Sequence, residues 1–155
     1  MPSTSRLLTA AVILGGLIAY GSLQSNAATG PEFIRITDRQ FSYKRVDIGA
    51  RGVSPGDQEI IYYDLFNRRI TRRPIGSAQS LCTFTIGRTR MCTLSVSLPR
   101  GEIVATGRVR YRQFYELAIT GGTRLYDDAR GTLTITRTTG PPRAIRELLY
   151  FRLTG

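Results

Sequence analysis

The sequence has no histidine, a single lysine (Lys44) and only two cysteines in 155 residues. Without histidine there is no His-based general acid or base and no Ser-His-Asp or Cys-His nucleophile. Two cysteines alone cannot complete a structural zinc centre either. No metal and no cofactor is therefore expected, and any catalysis must draw on Asp, Glu, Tyr, Arg or the shape of a cavity. Helical patterning is missing too, since beyond residue 28 no long stretch places apolar residues at i, i+3, i+4 and i+7. The longest apolar run, Leu7 to Tyr20, is too short to cross a hydrocarbon core as a helix, which takes ~20 residues. Lying between Arg6 and the small-residue stretch Ser25-Asn26-Ala27-Ala28, it has the layout of a secretory signal. Residues 1–28 are expected to be removed on export, with an uncleaved N-terminal anchor as the alternative. That leaves one domain over 29–155 in a secreted or extracytoplasmic protein.

What the chain does have is charge of one sign: 22 basic residues against 11 acidic give a net +11. Such a surplus raises the question of a polyanionic partner. The arginines are nevertheless strewn along the sequence, as on a solvated basic surface, and no nucleic-acid partner is expected. Arg68-Arg69 and Arg72-Arg73, flanking Ile70-Thr71, form the one local cluster. It suits contact with an anionic headgroup or carboxylate, or simply a soluble loop.

Strand signals recur along the remaining chain. Gln58 to Asn67 is rich in aromatic and β-branched residues and follows the turn Ser54-Pro55-Gly56-Asp57. Leu81 to Ile86 and Met91 to Leu98 flank Gly87-Arg88-Thr89, a connection suited to a hairpin. Glu102 to Tyr111, Phe114 to Thr120, Gly131 to Arg137 and Glu147 to Leu153 follow, each bounded by Gly, Pro or Asp. Short strands at this spacing predict an all-β sandwich or barrel. In Cys92 to Leu98 the apolar set Leu94, Val96, Leu98 alternates with hydroxyls, which turns Cys92 inward with them. Cys82 and Cys92 are equidistant from Gly87, so the hairpin sets them directly opposite each other. A disulfide is geometrically easy there and suits an oxidising compartment; the alternative is two packed thiols.

The segment Glu116-Leu117-Ala118-Ile119-Thr120-Gly121-Gly122-Thr123-Arg124-Leu125-Tyr126-Asp127-Asp128-Ala129-Arg130-Gly131 resembles a characteristic stretch of allene oxide cyclases. Its Ala129-Arg130-Gly131 ending resembles dirigent proteins. Gly56-Asp57, the run Ile75 to Thr83 and the closing Leu149 to Gly155 fall in the same order as in that superfamily. The resemblance implies an eight-stranded antiparallel closed β-barrel, often a homo-trimer, with a hollow apolar interior. It also implies that the barrel holds a reactive conformer of a lipophilic molecule while bonds reorganise, as in ring closure of an unsaturated epoxide or coupling of phenoxyl radicals. Gly121-Gly122 can also be read as a bulge or tight turn with no ligand role.

Carried over residue by residue, the cyclase machinery is incomplete. The first-strand region Ile34 to Gln40 lacks the expected glutamate, and only Asp38 could substitute. A water-binding asparagine corresponds to Tyr63, a pocket tyrosine to Val109, and a pocket cysteine to Cys82. These departures argue against authentic allene oxide cyclase activity. The resemblance turns Glu59, Ile61, Tyr63 and Leu65 inward, a choice that alternation alone leaves open. On this reading Glu59 and Tyr63 are the candidate catalytic residues, and Ile61, Leu65, Val109 and Asp38 line the ligand site. Glu59 could instead be a rim carboxylate paired with arginine, Tyr63 a core residue, and Asp127-Asp128 a solvated turn. The expected function is a barrel that binds a lipophilic small molecule and steers its cyclisation or coupling, an isomerase-like role if catalytic. The alternatives are a non-catalytic carrier or sensor and a basic module for anionic surfaces.

Overall fold

Alternation of side chains decides the inside of this protein. The computed structural model describes residues 32–67, 72–110, 114–137 and 146–154. The expected export segment 1–28 lies outside them, as do Arg68 and Arg69. The strands are β1 (Glu32–Val46), β2 (Gln58–Asn67), β3 (Gly76–Phe84), β4 (Arg90–Leu98), β5 (Gly101–Val109), β6 (Phe114–Gly122), β7 (Arg130–Arg137) and β8 (Glu147–Thr154). Each pairs antiparallel with its neighbour in sequence, and β8 returns to β1, so the sheet closes into a barrel with no free edge. Inward positions repeat every second residue: Glu59, Ile61, Tyr63 and Leu65 on β2, Leu94 and Val96 on β4, Leu149, Phe151 and Leu153 on β8. The β2 set faces the lumen, as the resemblance implied.

The cysteine hairpin has the register its symmetry predicted. Cys82 pairs with Cys92 across β3 and β4, and the two are joined by a disulfide. Both are buried in the lumen. For so short a loop, chain entropy assigns the bond about 2 to 3 kcal/mol. Unfolding in denaturant with and without reductant should show that loss as a lower midpoint; coincident curves would mean that closing the loop contributes nothing.

Glycines explain why the long family-like segment reads as it does. A Cβ at Gly122 would stand 2.3 Å from the Tyr126 carbonyl oxygen and 2.4 Å from that of Glu102. One at Gly131, whose φ is +129, would meet the Arg152 carbonyl oxygen at 2.0 Å. The short 3₁₀ turn Arg124–Tyr126 tucks under this end, with Tyr126 buried. The motif therefore encodes backbone closing on backbone. Gly121-Gly122 lies within β6, not beyond it.

At the other end, the β1–β2 connection is organised by Asp57, which is fully buried. Its carboxylate accepts hydrogen bonds from the backbone N–H groups of Ile48 and Ser54 at 2.9 Å each, from the Ser54 hydroxyl at 3.1 Å, and from Arg45 at 2.6 Å. Those donors hold its carboxyl well below the usual carboxylate range.

Candidate functional site

A small cavity opens in the lumen, lined by Asp38, Tyr63, Ser80, Leu94, Tyr115, Leu117, Ile135 and Glu147. Its volume is about 20 Å³, room for roughly one water molecule. Asp38 comes from the middle of β1, Tyr63 from β2, Tyr115 from the start of β6, and Glu147 from the start of β8. The cavity therefore lies toward the end of the barrel where β5 meets β6 and β7 meets β8.

The chemistry is concentrated in a pair of buried carboxyl groups. Asp38 is 3 % exposed and Glu147 4 %. The Glu147 backbone N–H donates to Asp38 Oδ1 at 2.9 Å, although the two residues are 109 apart in sequence. Glu147 Oε1 accepts from Arg137 Nε at 2.7 Å, and Oε2 from the Tyr115 hydroxyl at 3.3 Å. Among the described residues no cation pairs with the Asp38 oxygens. Burial first, and then the neighbouring Glu147 charge, push its pKa well above the ordinary range; the Glu147 N–H and the Arg137 charge pull weakly the other way. The arrangement sets a carboxyl whose burial favours its protonated form beside one that is ion-paired, which is the division an acid–base pair needs.

A raised pKa on a buried acid makes a stability prediction. Below the unfolded pKa, about 3.9, Asp38 is protonated in both states and costs nothing. As pH rises through its folded pKa the fold must bury the charge, so stability is lost. Asp38→Asn keeps an acceptor for the Glu147 N–H and removes the charge. It is expected to melt higher than the parent at pH ~8, by roughly 4 °C or more, with the gap closing toward pH ~4. Melting curves across that range decide it; a variant less stable at every pH would contradict the electrostatic account.

The other sequence candidates take different places. Tyr63 and Asp38 line the cavity, whereas Ile61, Leu65 and Val109 are buried in the packed lumen and do not. Glu59 faces inward but does not line it: Arg90 Nε stands 3.2 Å from Glu59 Oε2, and the Tyr43 hydroxyl donates to Oε1 at 2.8 Å. Arg90 in turn lies over the Phe84 ring, 4.3 Å from its centroid, so this group plugs the barrel end nearest the β3–β4 turn. Cys82 is held in the disulfide. Asp127 and Asp128 are exposed in the β6–β7 connection, and Arg72 and Arg73 in the β2–β3 connection, both at the end away from the cavity. Among the described residues no cluster of three or more His, Cys, Asp or Glu is arranged to hold a metal ion. Glu147 and Tyr115 were not anticipated. The signal was present in Glu147-Leu148-Leu149-Tyr150-Phe151-Arg152-Leu153, where alternation puts Glu147 on the same face as Leu149, Phe151 and Leu153.

Sequential closure of antiparallel strands into a barrel is shared with solved structures. A pyocyanin demethylase superposes with a TM-score of 0.64 at 23% identity, over 79% of this chain and 100% of the other. The Diels-Alderase AbmU from Streptomyces koyangensis gives 0.63 at 17% identity, over 82% and 71%. The pterocarpan synthase dirigent protein GePTS1 gives 0.59 at 14% identity, over 81% and 90%. This chain has the allene oxide cyclase/dirigent-like barrel fold. No protein-family model and no curated protein sequence matches it, so the likeness is one of architecture.

Proposed function

We propose that this barrel binds a lipophilic small molecule against Tyr63 and Tyr115 and steers its cyclisation or coupling. In this reading protonated Asp38 acts as the proton donor and Glu147 as the carboxylate that orients or accepts. The observation that carries it is the juxtaposition of two buried carboxyl groups of unlike environment in one cavity. Cyclases, a Diels-Alderase and dirigent proteins among the architectural neighbours support it. The cavity as it stands admits water alone, so a guest enters only as the lining yields. Tyr115, partly buried and held to Glu147 by a long hydrogen bond, is the side chain that swings.

The test is to incubate the purified protein with unsaturated epoxides, diene–dienophile pairs and phenoxyl precursors and to read product enantiomeric excess. Tyr115→Ala, which widens the cavity, is assayed alongside. Enantiomeric bias over buffer for any class supports the proposal. No bias in either protein, together with a lipophilic compound recovered by solvent extraction, would replace it with a non-catalytic carrier.

A further inference from the structure

The arginines that are scattered in sequence are gathered by barrel closure. β1 and β8 pair in the register Phe33↔Arg152 and Arg35↔Tyr150, and β8 pairs with β7 in the register Arg152↔Thr132 and Tyr150↔Thr134. All of these side chains point outward, on the pleat opposite to buried Ile36, Leu133, Leu149, Phe151 and Leu153. The outer face thus carries a checkerboard of two rings and two guanidiniums bordered by threonine hydroxyls, with Arg130 and Thr154 in the next row. Phe33 stacks on Tyr150 with ring centroids 5.6 Å apart and planes 13° from parallel, and Arg35 lies 5.0 Å over the same Tyr150 ring. Tyr150 is therefore occupied, while Phe33 is 52 % exposed. Among the described residues Arg35 and Arg152 have no carboxylate partner. Glu116, the acid nearest in register, accepts from Thr134 at 3.2 Å, and Glu32 sits on the alternate pleat.

We infer that this β7–β8–β1 face binds an acidic polysaccharide, a linear chain of pyranose rings bearing carboxylates. The guanidinium forks match carboxylates in pairs, the open Phe33 ring offers an apolar platform to one sugar face, and the threonines supply hydroxyl partners. Single-stranded nucleic acid fits less well, because successive bases need successive free rings and here one ring of the two is taken. A bilayer fits less well too, because Phe33 lies within a strand on a convex wall, where a flat surface touches only along a line. The face is outside the barrel, so the inference does not depend on the chemistry of the cavity.

Binding of fluorescent polygalacturonate to the full chain tests it by polarisation. Affinity is expected to fall about tenfold or more between about 50 and 200 mM salt. Arg35→Gln with Arg152→Gln should weaken it about tenfold at low salt, and Phe33→Ala several-fold, at unchanged melting temperature. Arg35→Lys with Arg152→Lys, which keeps the charge and loses the planar fork, should fall between parent and glutamine variant. Arg72→Gln with Arg73→Gln removes equal charge from another part of the surface and should stay within about twofold of the parent. Equal weakening by that control pair, tighter binding to oligothymidylate or to phosphatidylglycerol vesicles, or no binding at low salt would each overturn the inference.

Discussion

Glu147→Gln is expected to lower the rate of the proposed cyclisation or coupling by about 10²- to 10⁴-fold, the range contributed by a positioned acid or base, while leaving the fold intact. The substitution keeps the shape and the backbone N–H that Asp38 accepts, but it removes the charge that Arg137 neutralises and that raises the Asp38 pKa. Asp38→Asn should give a comparable loss by removing the proton itself. The pH dependence carries the assignment. With Asp38 as the proposed donor, the parent's rate should fall as pH rises through the folded pKa of Asp38, and that alkaline limb should be missing from the residual activity of Asp38→Asn. A Glu147→Gln protein with the parent's rate and pH profile would remove both carboxyl groups from the mechanism. Glu59→Gln provides the contrast: Glu59 is bound to Arg90 and Tyr43 and does not line the cavity, so its loss should appear in stability and not in product selectivity.

The largest stability effect is expected at Asp57. Its buried carboxylate gathers two backbone N–H groups, a hydroxyl and Arg45; Asp57→Ala leaves the two N–H groups without their acceptor and the Ser54 hydroxyl and Arg45 with only the Ile48 and Gly52 carbonyl oxygens. The melting temperature should drop by roughly 10 °C or more, and the connection between β1 and β2 should exchange its amide protons faster. Asp57→Asn, which keeps the outline and loses the charge, should recover part of the difference. A loss of only a degree or two in Asp57→Ala would mean that water replaces the carboxylate at no cost. The acid response differs from that of Asp38. A depressed folded pKa gives stability that is present above the unfolded value, about 3.9, and is lost only as pH falls through the lower folded one. Mild acidification therefore relieves Asp38 while leaving Asp57 ionised.

How much of this the amino-acid order discloses depends on the residue. Aromatic and β-branched runs such as Gln58–Asn67 announce themselves, and the pairing of Cys82 with Cys92 follows from hairpin symmetry alone. β3 is less legible, because it starts at Gly76, five residues before the expected Leu81, through Gly-Ser-Ala-Gln-Ser. Those residues have weak strand preference, but a filled barrel needs small inward side chains such as Ala78 and Ser80. β1 escapes pattern reading altogether: it is mostly exposed, mixes Arg, Gln and Lys with aromatics, and shifts register between Gln40 and Ser42. Only the family resemblance implied it. The site was half visible. Asp38 and Tyr63 could be nominated by position, but the ion pair that takes Glu59 out of the cavity involves Arg90 on a strand two away in the sheet, and Glu147 meets Asp38 only through closure. Contacts between distant segments leave no local pattern to read.

Closure has a further consequence for biosynthesis. The strand that carries Glu147 is the last of the eight to be synthesised, and the strand that carries Asp38 is the first. A nascent chain therefore waits with an unsatisfied edge and half of the carboxyl pair until its eighth strand has been made. Clipping the final strand would reopen the seam and disassemble the acid pair in a single event.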